Sequence, residues 1–309
     1  MLNPIALTLG PIQIHWYGII IAVGAILGLF LAIKEGKRFG ISQEFFFDML
    51  LIGLPSALIG ARLYYVAFEW QQYRDNPIEI IAIWHGGIAI YGALIGAIIS
   101  VSIYAHRKGY RFLRIADICA PGLIVGQMMG RWGNFMNQEA HGGQVSEAFL
   151  RDTLHLPDFI VNQMNIQGVY YHPTFLYESL WSLLGLVILL LLRRVRFLRV
   201  GELFMSYFIW YSIGRFYVEG VRTDSLVFAG PTWLASFLKT IWEPMSSFGW
   251  GAMEVGKNIR VSQLLAVCIV LAAIAIIVLR RTVFKQTFRY ADPIVPKVNP
   301  SNLHIQQVE

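Results

Sequence analysis

Three arginines stand where charge is hardest to keep. Arg62, Arg131 and Arg215 each lie inside an apolar run long enough to enter a membrane. Arg131 sits between Gly130 and Gly133 and is followed by Asn134, Asn137, Gln138, Glu139 and His141 before Gly142-Gly143. Glycines lack a Cβ and let a ligand or a neighbouring backbone come close. An ionisable side chain inside a spanning segment points to function by default. Arginine stays protonated and grips phosphate oxygens with a planar fork of donors. Three of them therefore point to a shared anionic ligand. The plainer reading is of buried arginines tying helices together. Arg215 and Glu219 are four apart, so they share a helix face and can pair as an ordinary intrahelical salt bridge.

The elements that must hold these residues are membrane spans. The chain has 309 residues, 56% hydrophobic and 14% charged, well below the roughly 25% charged of soluble domains. Seven runs reach the roughly 20 residues a span needs, near 16–34, 45–68, 86–105, 115–133, 173–193, 201–220 and 262–281. Sixteen of the 25 Lys and Arg fall on one side, in 34–44, 106–114, 193–199 and the tail from 280. Six fall on the other side: Arg74, Arg151, Arg222, Lys239, Lys257 and Arg260. The positive-inside rule places the N-terminus outside and the C-terminus in the cytoplasm. The remaining three are Arg62, Arg131 and Arg215. At about 1.5 Å rise per residue they lie about 26, 24 and 21 Å from the cytoplasmic ends of their spans. In a hydrocarbon layer about 30 Å thick, that is the outer half.

The net charge of +6 could point to nucleic acid, but the basic residues sit in short clusters between spans, so nucleic acid is set aside. Residues 134–172 read as a small extracytoplasmic head. Residues 221–261, with Trp233, Phe237, Trp242 and Trp250, read as an amphipathic arm on the membrane surface. The expected membrane domain is 1–285, and 286–309 is expected to be a disordered cytoplasmic tail. Cys119 and Cys268 read as small apolar residues. No set of His, Asp or Glu has metal-ligand spacing, and neither metal nor cofactor is expected. His85 and His172, at span boundaries, read as hydrogen-bonded interfacial residues, and Tyr64 and Tyr65 as packing.

The stretch Gly130 to Gly143 resembles the signature of bacterial prolipoprotein diacylglyceryl transferases. The resemblance extends in order through Trp16-Tyr17-Gly18, Gly60-Ala61-Arg62-Leu63-Tyr64-Tyr65 and Gly86-Gly87-Ile88-Ala89-Ile90. It continues through His172-Pro173-Thr174, Leu176-Tyr177-Glu178, Gly214-Arg215-Phe216 and Glu219. It implies transfer of the sn-1,2-diacylglyceryl group of phosphatidylglycerol to the lipobox cysteine of a prolipoprotein. Glycerol phosphate would be released, at the outer leaflet of the bacterial plasma membrane. The resemblance makes Arg131 the phosphatidylglycerol-binding residue and implicates Arg215 in catalysis. It places Asn134, Glu139, Gly142 and Glu219 in the active site. Arg131 and Arg215 are expected to clamp the phosphate, and Arg62 and Tyr17 complete the expected lipid-binding set, in which Arg62 assists that clamp or holds the helices. One position departs, for many members have a histidine where this chain has Tyr91. A phenol is expected to take that place and hydrogen-bond the head group.

The chemistry fits. The reaction alkylates a thiol, so it needs a thiolate and cations over the phosphate as charge builds on the departing oxygen. Tyr91, Glu139 and His141 all stand as candidates for the thiol's base. Two rival classes are a lipid transporter or flippase and an inactive membrane scaffold. A transporter predicts ionisable groups at several depths and repeated halves. The chain has its cations near one face and no detectable repeat.

Overall fold

Strands β1 (Ile5–Leu9) and β2 (Ile12–His15) form an antiparallel hairpin before the first long helix. Helix α1 (Trp16–Arg38) leads to α2 (Gln43–Phe68), the single turn α3 (Trp70–Tyr73), α4 (Ile90–Arg107) and α5 (Phe112–Asn137). Strand β3 (Gln144–Val145), helix α6 (Asp158–Gln163), β4 (Asn165–Ile166) and β5 (Val169–Tyr171) follow, with antiparallel sheet order β3–β5–β4. Then come α7 (Thr174–Leu192), α8 (Glu202–Glu219), β6 (Val227–Ala229), α9 (Thr232–Trp242), β7 (Asn258–Arg260) and α10 (Val261–Thr282), with β6 paired to β7. This computed structural model describes residues 2–223, 225–248, 250 and 258–294.

Each expected span is a helix. Among the described residues six are long and apolar enough to cross a membrane: α1, α2, α4, α5, α7 and α10. The exception is α8, at the expected span 201–220, which carries Glu202, Arg215 and Glu219 in 18 residues. Those charges are spent on protein partners: Glu202 accepts from Arg281 Nε at 2.6 Å, and Arg215 meets Glu219. Long apolar side chains such as Leu51, Leu54, Ile59, Leu180 and Leu271 are exposed along the other helices. Exposed apolar surface on this scale is what a membrane covers. The short strands qualify the all-helical expectation, and none interrupts a spanning helix.

The chain forms two compact units, residues 1–31 with 119–291 and residues 32–118 with those after 291. In the second, α2 and α4 meet through small residues. A Cβ on Gly60 would lie 2.4 Å from the Gly92 carbonyl oxygen, and one on Gly96 2.3 Å from that of Ser56. Such close approach is how helices associate where lipid removes the hydrophobic drive. In the first unit, α7 and α8 are locked by two stacked indoles, Trp181 and Trp210, 4.2 Å apart. Each indole N–H donates to the other residue's carbonyl at 2.9 Å.

The segment expected as a head has its own core of Phe135, Leu150, Ile160, Val161, Met164 and Phe175. In the segment expected as an arm, α9 exposes Trp233 and Phe237 and buries Leu238 and Trp242. The start of the expected tail is held down: Tyr290 is buried and its N–H donates to the Leu198 carbonyl at 2.7 Å. Lys257 with the rest of 251–257, and Lys297 with the rest of 295–309, lie outside the described residues.

Candidate functional site

Helix α5 ends in the glycine- and amide-rich stretch, and the backbone there turns sharply. Gln138 (φ 53°) and Ala140 (φ 56°) are left-handed, a conformation that non-glycine residues adopt only where surroundings hold it. The turn brings Glu139 back onto the helix end. Its N–H donates to the Asn134 carbonyl at 3.1 Å, and its Oε1 accepts from Asn134 Nδ2 at 3.0 Å. Asn134 in turn accepts from Arg131 Nη1 at 3.3 Å. Arg131 Nε lies 3.1 Å from Glu178 Oε2 on α7. The other oxygen of Glu178 lies 3.6 Å from Arg215 Nη1 on α8. Arg215 Nη2 is 2.5 Å from Glu219 Oε2. One polar chain thus runs Glu139, Asn134, Arg131, Glu178, Arg215, Glu219.

Its exposure is graded. The Glu178 and Glu219 side chains are 8% and 2% exposed, those of Arg131 and Arg215 21% and 20%. The carboxylates form the buried backing and the guanidiniums the accessible face. Among the described residues, Arg131 Nη2 and Arg215 Nε take no partner. Two cations against two anions leave these four residues formally neutral, with donors still unpartnered among the described residues.

Neighbouring contacts fix this geometry. Trp132 Nε1 donates to Ser179 Oγ at 3.0 Å, one residue along from the Arg131–Glu178 contact on both helices. The Tyr17 ring lies against Gly133, where a Cβ would approach it to 2.7 Å. Gly142 is wedged among His172, Val221 and Thr174, where a Cβ would come within 2.6 Å of the His172 Cβ. Its N–H donates to the His172 carbonyl at 3.0 Å, and that of Gly143 donates to Val221 at 2.9 Å.

Arg62 belongs to the other unit, and its surroundings differ in kind. Nε donates to the Ile80 carbonyl at 2.9 Å, and Nη1 to Gly86 at 2.5 Å and Gly87 at 2.7 Å. Nη2 donates to Glu79 and, at 3.4 Å, to Ala82. A guanidinium has five N–H donors, and all five go to backbone carbonyls of one loop. Of the two roles expected for Arg62, these bonds belong to holding structure. Gly86 (φ +85°) and Gly87 (φ +73°) turn left-handed to deliver their carbonyls.

Tyr91, half exposed at the start of α4, also lies in that unit, its ring 6.4 Å from that of Tyr64. His141 points Nδ1 at the Gly142 carbonyl at 3.1 Å, its ring 4.1 Å from that of Tyr171. His85 pairs with Glu79 at 2.8 Å on the surface. His172 is buried beside the Tyr177 hydroxyl at 3.2 Å, and burial pulls its pKa down to about 4. Among the described residues no three of His, Cys, Asp and Glu converge as a metal site.

Glu178 is the residue that sequence reasoning left without a role. A signal was present: it is an acid in an apolar helix, and α7 carries no cation at i±3 or i±4. It had to find its partner on another element.

Comparisons agree with the resemblance. A family model described as prolipoprotein diacylglyceryl transferase matches residues 4–279. A Bacillus licheniformis protein named phosphatidylglycerol–prolipoprotein diacylglyceryl transferase is 50% identical over 291 residues, 94% of this chain and 97% of its own. Proteins of the same name from Bacillus velezensis and Bacillus cereus are 50% and 49% identical over the same shares.

Proposed function

The chain belongs to the prolipoprotein diacylglyceryl transferase family, and from that premise we propose how its own residues carry the reaction. It is a multi-pass membrane enzyme that transfers a diacylglyceryl group from phosphatidylglycerol to a prolipoprotein. The acceptor atom is the sulfur of the lipobox cysteine. The thiolate attacks the glycerol carbon bearing the phosphate, the C–O bond breaks, and its electron pair stays on the phosphate oxygen of the departing glycerol phosphate.

Arg131 and Arg215 clamp that phosphate. Support comes from one observation above the others: two guanidiniums on different helices converge on the buried carboxylate of Glu178 while keeping donors free. Phosphate charge rises from one to two negative units as the bond breaks, so the clamp stabilises the transition state more than the bound lipid. Glu219 sets the rotamer of Arg215. Asn134 orients the head-group glycerol. Glu139, at the exposed end of the polar chain, takes the thiol proton. Arg62 holds the loop of residues 79–87. Seven helices span the membrane, with α8 shielding its charges, the N-terminus outside and the site toward the outer leaflet.

The test incubates purified protein with phosphatidylglycerol and a lipobox peptide and reads a mass gain of one diacylglyceryl group. A peptide with serine for cysteine should gain nothing. Arg131→Gln should abolish transfer while the protein stays folded, and normal transfer by that variant would sink the clamp. Absence of any mass gain with the parent protein would return the transporter and scaffold readings.

A further inference from the structure

We propose that Glu178 is the positioning residue of the phosphate clamp. Its one carboxylate sets the spacing of the two guanidiniums and decides which of their N–H groups meet the lipid phosphate. The inference rests on the transferase reading and adds a residue to it.

The geometry carries the argument. Oε2 of Glu178 lies 3.1 Å from Nε of Arg131, and Nη2 of that guanidinium takes no partner among the described residues. Oε1 takes Nη1 of Arg215 at the longer distance of 3.6 Å, while Glu219 holds Nη2 of the same residue at 2.5 Å. Of the two ion pairs of Arg215, that with Glu219 is the shorter and that with Glu178 the looser. The loose contact is the one a phosphate oxygen displaces as it arrives. Without a central anion, two like charges brought this close in a low-dielectric site would repel and splay.

Helix α7 does not depend on Glu178 to stay in place. Trp132 bonds Ser179 at 3.0 Å, Phe135 packs on Phe175 at 4.3 Å, and the Trp181–Trp210 pair lies one turn further along. Its removal therefore separates clamp geometry from packing.

Glu178→Gln tests this. The amide keeps one acceptor for one guanidinium and turns N–H groups on the other. Displacing the clamp by an ångström or so should lower kcat by about 30- to 100-fold. KM for phosphatidylglycerol should hold or fall, because the site has lost a negative charge and attracts phosphate more strongly. For the same reason glycerol phosphate should inhibit at about 3- to 10-fold lower concentration. A merely structural lesion would raise KM and weaken that inhibition. Glu178→Asp keeps the charge but withdraws it by one methylene. Its kcat should fall about 5- to 20-fold, with parental inhibition by glycerol phosphate.

A kcat within threefold of the parent for folded Glu178→Gln overturns the proposal, as does a raised KM at unchanged kcat. Should Glu178→Gln fail to fold, Glu178→Asp at the parental kcat overturns it alone. The parent is assayed first with lipobox peptide. No transfer by the parent refutes the transferase reading, whereas an active parent with a fully active Glu178→Gln refutes only the role of Glu178.

Discussion

At the scale of single residues, a guanidinium serves two unlike ends in this chain. Arg62 spends five donors on the carbonyls of one loop, while Arg131 and Arg215 lean on buried carboxylates and keep donors free. Depth and residue type alone put the three in one group, and only the resemblance set Arg62 apart, as a residue that assists the clamp or holds the helices. The partners of Arg62 are backbone atoms, which no side-chain letter reveals. Arg62→Lys keeps the charge but offers three donors in place of five, so it should destabilise by about 1–3 kcal/mol through carbonyls left unpaired. Thermal unfolding in detergent would read this as a lowered Tm, with KM for phosphatidylglycerol unchanged in the folded fraction. His172 makes a second prediction. Its pKa falls from the ordinary 6.5 to about 4 because burial disfavours the charged ring. Between those values the unfolded chain binds a proton that the folded chain refuses, so stability drops as pH falls from about 6.5 toward 4. Above pH 6.5 this group contributes no pH dependence. A melting series across that window should show the slope, and His172→Gln should flatten it by up to one proton's worth.

At the scale of elements, the site depends on the register of α7 against α8. Trp181 and Trp210 fix it with reciprocal hydrogen bonds and a stacked face. Gly214 and Gly185 make room for them: a Cβ on Gly214 would lie 2.3 Å from Trp181 Cδ1, and one on Gly185 2.3 Å from Trp210 Cδ1. Glu178 lies three residues before Trp181, and Arg215 five after Trp210, so a slip of the pair moves the clamp. Gly214→Val should therefore lower kcat by about 100-fold, since ångström-scale misplacement has that effect, and should weaken the near-ultraviolet signal of the stacked indoles. Trp181→Phe keeps an aromatic ring and loses one hydrogen bond, at about 1 kcal/mol, so it should remain active. Unaltered kcat in Gly214→Val would show that register and clamp are uncoupled. The helices themselves were legible in sequence to within a few residues, because apolar length is a strong signal. The tryptophan pairing was not, since nothing local to positions 181 and 210 says that they face each other. The polar character of α8 was also visible in Glu202, Arg215 and Glu219, but hydrophobic length alone could not say that each charge would find a protein partner.

At the scale of the whole molecule, the chain is apolar on the outside along its helices, and its basic residues are sorted by connection. The first of these features follows from lipid as solvent: exposed leucines and isoleucines on α1, α2, α4, α7 and α10 carry no penalty there. The second is expected to set orientation. Connections 34–44, 106–114 and 193–199 each hold three or four Lys or Arg, whereas the 39 residues from 134 to 172 hold only Arg151. Short basic connections resist translocation, so 106–114 should face the cytoplasm and 134–172 the outside. Arg151 does not weaken the contrast, for it is already paired with Glu147 and Asp158. Two exposed turns are suited to a test: Gln167, next to the turn glycine Gly168, and Lys108, at the end of α4. In a variant with Cys119 and Cys268 replaced, a single cysteine at position 167 should react with a membrane-impermeant thiol reagent added to intact cells. A single cysteine at 108 should react only after the membrane is opened. The reverse pattern would invert the topology and place the Arg131–Arg215 clamp toward the cytoplasmic leaflet. The lipobox thiol of a secreted precursor would then have to be modified before the precursor crosses, so the labelling pattern decides on which side of the membrane the acceptor is met.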